Sequence, residues 1–293
     1  MPQQPILRVL DHTDTELHPA YCEYVARVFS QADFRRWCEW GQWAPGYLAY
    51  SLFEDGRVVA NASTMRQRLI VDGEEILAFQ FGAVGSLPQH RGRGLARRAM
   101  QAALAGGGDA PALLFANDRV LDFYPRFGFA PAPQSLFEAA HALAPAPQRA
   151  PQRDLADADV RERFLAVAAR AAPLGRRFAS RDYGRTATWY AANGYAAPLF
   201  EIDADTWVFA HEQDGALTIE DVFAVAPSHA ALAAALPRLI VGPVETLRFG
   251  FDPCALWPQA GPAGPDDEAG LFLRGIDPAR LGPHSRFPLL ART

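Results

Sequence analysis

The sequence predicts a mixed α/β protein built in two parts, and three observations predict it. Strand-favouring segments recur between Ile6 and Leu87 with turn residues between them; a closely spaced glycine pair then opens an amphipathic helix; and a proline-rich stretch near residue 145 precedes a second, weaker run of strands and helices. Composition agrees. Of the 293 residues, 49% are hydrophobic and 21% charged, which excludes a disordered or fibrous chain and suffices for one large core or two medium ones.

The first part opens with a short strand, Ile6–Leu10, and two helices around Tyr21–Phe29 and Phe34–Trp40. Three strands follow, Tyr47–Phe53, Val58–Ile70 and Glu75–Leu87, punctuated by turns at Glu54–Gly56 and Asp72–Gly73. A helix from about Gly94 to Leu104, a strand at Ala112–Phe115 and a helix ending before Gly128 complete it. This order differs from a repeated Rossmann unit.

From Ser135 to Asp154 the character changes, with Pro145, Pro147 and Pro151 interrupting an alanine-rich stretch that reads as a linker or long surface connection. The expected division is a domain over residues 1–144, a linker over 145–153 and a second domain over 154–293. In the second domain Val160, Phe164, Val167, Ala168 and Ala171 mark one face of a helix. Trp207–His211 and Ala216–Phe223 flank an Asp214–Gly215 hairpin turn; His229–Leu239 reads as a helix, and Val244–Phe249 and Leu271–Arg274 as strands. Pro258–Glu268 reads as an exposed loop. Tyr183, Trp189, Tyr190, Asn193, Tyr195 and Trp207 lie close in sequence and read as packing groups, not a second ligand site.

A net charge of −5 supplies no general attraction to nucleic acid, so none is expected as a partner. The N-terminus lacks the basic and apolar regions of a secretion signal, and no apolar run approaches membrane-spanning length; the expectation is a soluble, cytoplasmic protein without a membrane partner. The cysteines, Cys22, Cys38 and Cys254, are too scattered for a disulfide scaffold or a thiolate metal site, so a reducing compartment and no metal are expected.

The most informative stretch is Val84–Ala96, VGSLPQHRGRGLA. A strand pattern runs into Pro88, then Gly92 and Gly94, then a helix whose first N–H groups lack intrahelical acceptors. That arrangement can cradle a phosphate, with Arg91 and Arg93 adding charge at its rim; a bare strand-to-helix connection needs the same small residues. Neither the Rossmann fingerprint nor a P-loop is present.

Gln89–Gly94, QHRGRG, resembles the Q/R-x-x-G-x-G/A coenzyme A motif of the general N-acetyltransferase (GNAT) superfamily. A second similar element, NDRVLDFYPRFGFAP, runs from Asn117 to Pro131 and carries Asn117, Phe123–Tyr124 and Gly128–Phe129 in the family's order. The resemblance covers about the first 140 residues. It implies a central mixed sheet flanked by helices, acetyl-coenzyme A as cosubstrate, and a two-copy layout with an active N-terminal domain and a degenerate C-terminal one. Arg91, Gly92, Arg93, Gly94, Leu95 and Ala96 would bind the pyrophosphate, Val84 and Ser86 the pantetheine or the acetyl carbonyl, and Asn117 the pantetheine or a helix terminus. Tyr124 would donate toward the leaving sulfur, and a strand N–H near Val84–Leu87 would hold the developing oxyanion. In resembling multidomain enzymes the C-terminal carboxylate enters the site, which makes Thr293 a candidate base beside Asp72, Glu75 and His90.

The implied reaction is direct acetyl transfer to a primary amine, on a small molecule or on a peptide or protein, with an inactive coenzyme-binding module as the contrasting reading. Trp37, Trp40 and Trp43 with Glu39 would form an aromatic, partly acidic wall for a cationic acceptor, or simply pack. Self-association is left open.

Overall fold

The computed structural model describes residues 4–29, 32–267 and 270–293. In chain order its first part contains β1 (Ile6–Leu10), α1 (His18–Val28), α2 (Arg35–Glu39), β2 (Tyr47–Glu54), β3 (Arg57–Val71), β4 (Glu74–Ser86), α3 (Leu95–Gly107), β5 (Ala112–Ala116), β6 (Ala130–Pro131) and β7 (Ser135–Leu143). Its second part contains β8 (Gln152–Arg153), α4 (Ala158–Ala168), β9 (Phe178–Arg181), α5 (Gly184–Ala192), β10 (Leu199–Asp203), β11 (Thr206–Gln213) and β12 (Ala216–Ala224). These are followed by α6 (His229–Ala235), β13 (Val244–Phe249), β14 (Gly261–Pro265) and β15 (Gly270–Arg274).

Two mixed sheets result, of order β1-β2-β3-β4-β5-β15-β6 and β14-β7-β13-β12-β11-β10-β8, with β9 added to the far end of β3. Each contains an antiparallel meander, a helix crossing over, and a parallel strand. In the first, β2, β3 and β4 lead through α3 to β5; in the second, β10, β11 and β12 lead through α6 to β13, parallel to β12. The structure is thus mixed α/β with two sheet–helix units of one design, as the sequence predicts.

The units are interlaced. β7 leaves the first part to pair antiparallel with β13 in the second sheet, while β15 returns from the second part to pair antiparallel with β5 in the first. The expected division at 144/145 therefore does not separate two self-contained sheets, because each closes with a strand from the other side of it. Nor is 145–153 a free tether: Ala146 N and Ala150 N donate to Pro237 O (2.7 Å) and Arg238 O (2.9 Å), and β8 pairs with β10. Three apolar clusters fill the molecule, and the middle one joins Leu69 and Val71 of the first sheet to Trp207 and Phe223 of the second.

Three local expectations need correction. The helix ending before Gly128 is two 3-10 turns, Asp118–Val120 and Tyr124–Phe127. Pro125 fits only a first turn, and Gly128 at φ 80° stops the segment before an α-helix can form. The helix from His229 ends at Ala235 and tightens into a 3-10 turn around Pro237. Within Pro258–Glu268, whose last residue lies outside the described residues, β14 pairs with β7 as an edge strand, where its prolines cost no ladder bond.

Candidate active site

The site begins where β4 and β5 part. Their parallel ladder covers Phe79–Phe81 against Ala112–Leu114 and ends there. Beyond it, β4 slips register against β3 between the pairs Ser63–Gly82 and Asn61–Gly85, and Ala83 adopts φ 47°. A left-handed non-glycine residue costs about 1–3 kcal/mol and persists only where its surroundings hold it.

The hold comes from a buried polar chain beneath the bulge. Asn61 Nδ2 donates to Ala83 O (3.0 Å) and Ser63 Oγ (2.9 Å), while its Oδ1 accepts from Ser51 Oγ (2.9 Å). The Tyr21 hydroxyl meets Ser63 Oγ at 3.0 Å and the Tyr47 hydroxyl at 2.5 Å. Ser51, Asn61 and Ser63 are wholly buried. None of these five was singled out from sequence; the available signal was Asn61 as the one polar residue within the run Val58–Ala62, with Ser63 two positions further on.

A cleft of about 890 Å³ follows the gap. Val84, Ser86, Arg91, Gly92, Gly94 and Leu95 line it, as do Ala96 and Arg97. Gly92 and Gly94 adopt φ 76° and 72° with open space where a Cβ would stand, so glycine is required there by backbone conformation and not by crowding. Gly94 caps α3 without any side-chain bond, and the first helical bond runs from Arg98 N to Gly94 O (3.0 Å). The amides of Leu95, Ala96 and Arg97 are left without helical acceptors at the cleft, where the helix dipole favours negative charge.

Arg93 is placed elsewhere. It bonds Glu54 Oε1 at 2.9 Å and donates to His90 Nδ1 at 2.7 Å, and it does not line the cleft. This bond holds the Glu54 carboxyl below its ordinary range. His90 lines the cleft, its Nδ1 lying between Arg93 and Glu54 Oε2 at 3.2 Å. The Leu87 amide donates to Val59 O (2.9 Å), which removes it from the candidate oxyanion donors and leaves those of Val84–Ser86.

Across the gap, Asn117 lines the cleft and caps the following turn, its Oδ1 accepting from Arg119 N (3.1 Å). Tyr124 also lines it, its ring against Phe129 and against Phe272 of the exchanged strand β15, and its hydroxyl makes no hydrogen bond among the described residues. Burial pushes its phenol up to about 12, so it stays protonated and able to donate.

Of the expected acceptor wall, Trp37 lines the cleft, with Nε1 donating to Arg185 O (2.9 Å) and Thr188 Oγ1 (3.2 Å) of α5. Trp40 turns away beneath the Arg161 guanidinium at 4.8 Å, Trp43 stacks on His18 at 4.0 Å in the core, and Glu39 faces solvent. The reason is that α2 has one buried face, and only Trp37 occupies it. The missing part of the wall comes from the second half of the chain: Thr186 and Trp189 of α5, then Arg292 and Thr293. Trp189, read from sequence as packing alone, is a cleft residue. Thr293 lies so close to β4 that a Cβ on Gly82 would sit 3.0 Å from its carbonyl carbon. With its oxygen turned toward Thr293, the Gln80 amide accepts from the Thr293 hydroxyl at 2.9 Å. Asp72 and Glu75 lie outside the cleft.

The second unit lacks this construction. Its helix α6 is entered through Val225–Ser228 without glycine, and the Ser228 hydroxyl already accepts from Ala231 N at 3.2 Å. Among the described residues no group of three or more His, Cys, Asp or Glu side chains could hold a metal, and no helix is long and apolar enough to cross a membrane.

Comparison with known proteins agrees with this geometry. Residues 11–132 match the family described as acetyltransferase (GNAT) domain, and no curated protein matches the chain. Among solved structures, Eis1 from Mycobacterium abscessus superposes with TM-score 0.56 at 20% identity, over 92% of this chain and 72% of that one. A GCN5-related N-acetyltransferase from Kribbella flavida superposes with TM-score 0.53 at 17% identity, over 92% and 72% of the two chains. A probable N-acyltransferase from Enterococcus faecalis V583 gives 0.53 at 14%, over 96% and 74%. The fold is that of the GNAT acetyltransferases, in two tandem sheet–helix units.

Proposed function

We propose that the protein is an acetyl-coenzyme A-dependent N-acetyltransferase acting on a primary amine of a small molecule, with its one active centre in the first unit and a degenerate copy behind it. The observation that carries this is the coincidence, in one cleft, of an uncapped glycine-turned helix N-terminus, a splayed strand pair and an unengaged tyrosine hydroxyl.

In this reading the amides of Leu95, Ala96 and Arg97 bind the pyrophosphate, with Arg91 at the rim, and the pantetheine lies along the open edge of β4. A thioester is a competent electrophile, but an amine attacks it only as the free base. An amide within Val84–Ser86 stabilises the oxygen of the tetrahedral intermediate, and the amine is aligned by the wall opposite. Tyr124 donates to the departing sulfur. A phenol near 12 is a weaker acid than a thiol near about 8.5, so its contribution is a hydrogen bond to the thiolate more than a completed proton transfer. Where Thr293 ends the chain, its carboxylate stands at the cleft and serves as the base that takes the ammonium proton.

Binding of acetyl-coenzyme A by calorimetry and amine-dependent thiol release test the reading. Tyr124→Phe should reduce kcat about a hundredfold, near 2.7 kcal/mol, and leave the acetyl-coenzyme A Kd within about twofold. Unchanged turnover removes the role of Tyr124, and absence of coenzyme binding removes the activity.

A further inference from the structure

The second unit repeats the gap of the first, and the chain itself fills it. In the first unit β4 bulges against β3, and β4 and β5 then part after Phe81 and Leu114 around the open cleft. In the second, β12 slips register against β11 between the pairs Ala210–Ile219 and Phe209–Asp221, which makes Glu220 the extra residue, and its parallel ladder to β13 ends at Ile219 and Phe249. One more bond, from Gly250 N to Ile219 O (2.8 Å), closes that ladder. Beyond it residues 286–290 stand between the strands. Leu289 N donates to Gly250 O (3.0 Å) and Asp252 N to Arg286 O (3.1 Å) on the β13 side, while the Leu290 amide faces the Asp221 carboxyl on the β12 side. Phe287 and Leu290 are wholly buried there, the Phe287 ring against Phe178 of β9 (4.8 Å) and Phe115 of β5 (5.7 Å).

Two consequences meet at one side chain. The acids of the bulge bracket α5: Asp221 accepts from the Tyr183 hydroxyl (2.8 Å) before its start, and Glu220 from Ala197 N (2.7 Å) past its end. α5 brings Thr186 and Trp189 to the cleft. The segment seated in the gap runs on through a 3-10 turn, Leu289–Ala291, that packs on α5, and delivers Arg292 and Thr293 to the same cleft. The cleft residues supplied by the second part of the chain thus hang from supports that converge on Asp221. Asp221 and Tyr183 are both buried, so a lost acceptor there is not replaced by water. Gln67 Nε2, donating to Ala291 O (3.0 Å), is a second anchor for the segment, so loss of Asp221 should loosen the arrangement and not abolish it.

We propose that Asp221 is a positioning residue for the acceptor side of the cleft, setting α5 and residues 289–293 in one arrangement, and that the gap of the second unit is the seat of that segment where the first unit seats its coenzyme. The acceptor-side role rests on the acetyl-transfer reading above; the support of the segment does not. Asp221→Leu keeps the volume and removes the acceptor. Hydrogen exchange read by mass spectrometry on the purified protein, without ligand, should show residues 183–192 and 285–293 exchanging at least about tenfold faster in this variant, with α3 unchanged. With acetyl-coenzyme A saturating, and spermidine or 2-phenylethylamine as acceptor, whichever the parent turns over faster, the acceptor KM should rise at least about tenfold while the acetyl-coenzyme A Kd stays within about twofold. Asp221→Asn keeps an acceptor oxygen for Tyr183 and should bring both readouts to within about threefold of the parent. Exchange that rises equally in α3, or in none of these segments, makes Asp221 a group of general stability and overturns the proposal; an unmoved acceptor KM overturns its acceptor-side role. If the parent turns over neither amine, the exchange pattern alone decides the proposal, whereas absence of acetyl-coenzyme A binding counts against the acetyl-transfer reading and not against the seat. Should Asp221→Leu not fold, Tyr183→Phe removes the same hydrogen bond from its other end and is held to the same outcomes at about threefold.

Discussion

Asn61→Ala tests whether the bulge in β4 is held from below. The substitution removes the donor to Ala83 O and the acceptor for Ser51 Oγ, both inside a region with no solvent to replace them, whereas Ser63 Oγ keeps Tyr21. Two buried groups left unpaired at about 1–2 kcal/mol each give a destabilisation of roughly 2–4 kcal/mol. For a chain of this size that lowers Tm by roughly 3–7 °C. The functional effect should exceed the structural one. Ala83 is strained at φ 47°, so releasing its carbonyl lets β4 relax toward regular pairing and narrows the gap, raising KM for acetyl-coenzyme A at least about tenfold. Ser51→Ala is the control, since it removes one bond of the same chain without touching Ala83: about 1 kcal/mol of stability lost and KM unchanged. Thermal unfolding and thiol-release kinetics on the three proteins decide it. If Asn61→Ala is destabilised yet keeps the parental KM, the bulge does not depend on Asn61 and the account of the gap is wrong.

Two further expectations follow from charges that the fold has placed. Asp221 is fully buried, accepts from the Tyr183 hydroxyl (2.8 Å) and Val222 N (2.9 Å), and is pushed up to about 8 from 3.8 by burial. Between those values the unfolded chain has ionised Asp221 while the folded one retains its proton, so this group makes stability fall as pH rises across that window. Asp221→Asn should match the parent near pH 4 and exceed it at neutral pH by up to roughly 4 kcal/mol. Urea midpoints that stay parallel across the range would contradict it. At the glycine turn, Arg91→Ala should raise the acetyl-coenzyme A KM several-fold and Arg93→Ala should not, because Arg93 is bound to Glu54. Equal effects of the two substitutions would return Arg93 to the phosphate site.

The turn was legible in sequence because its signal is local: two glycines with positive φ, a proline ahead and a helix behind all fall between Pro88 and Leu95. The strands were legible for the same reason, and β1 and β13 begin and end where propensity places them. What stayed hidden is non-local. Nothing in SLFEAAHAL names the sheet that β7 joins, since alternation fixes a strand's faces and not its neighbours. Likewise Trp189 reads as helix packing until β9, paired to β3, carries α5 over the cleft. Trp40 and Glu39 were misassigned because an amphipathic face can be read from spacing while its facing surface cannot. Asn61 carried a fair hint, a polar residue inside the apolar run Val58–Ala62, whose partner Ala83 lies 22 residues away across the sheet.

The reciprocal placement of β7 and β15 bears on how the molecule comes to exist. During synthesis, β5 emerges with one edge bare and must wait until residue 274 has left the ribosome before β15 can cover it. Meanwhile β7 is available early but its neighbour β13 is a hundred residues off. A nascent chain of this kind cannot bank a finished N-terminal module and then add the next. Its halves mature together, and an expression strategy that splits them would offer each fragment an open edge for the wrong companion.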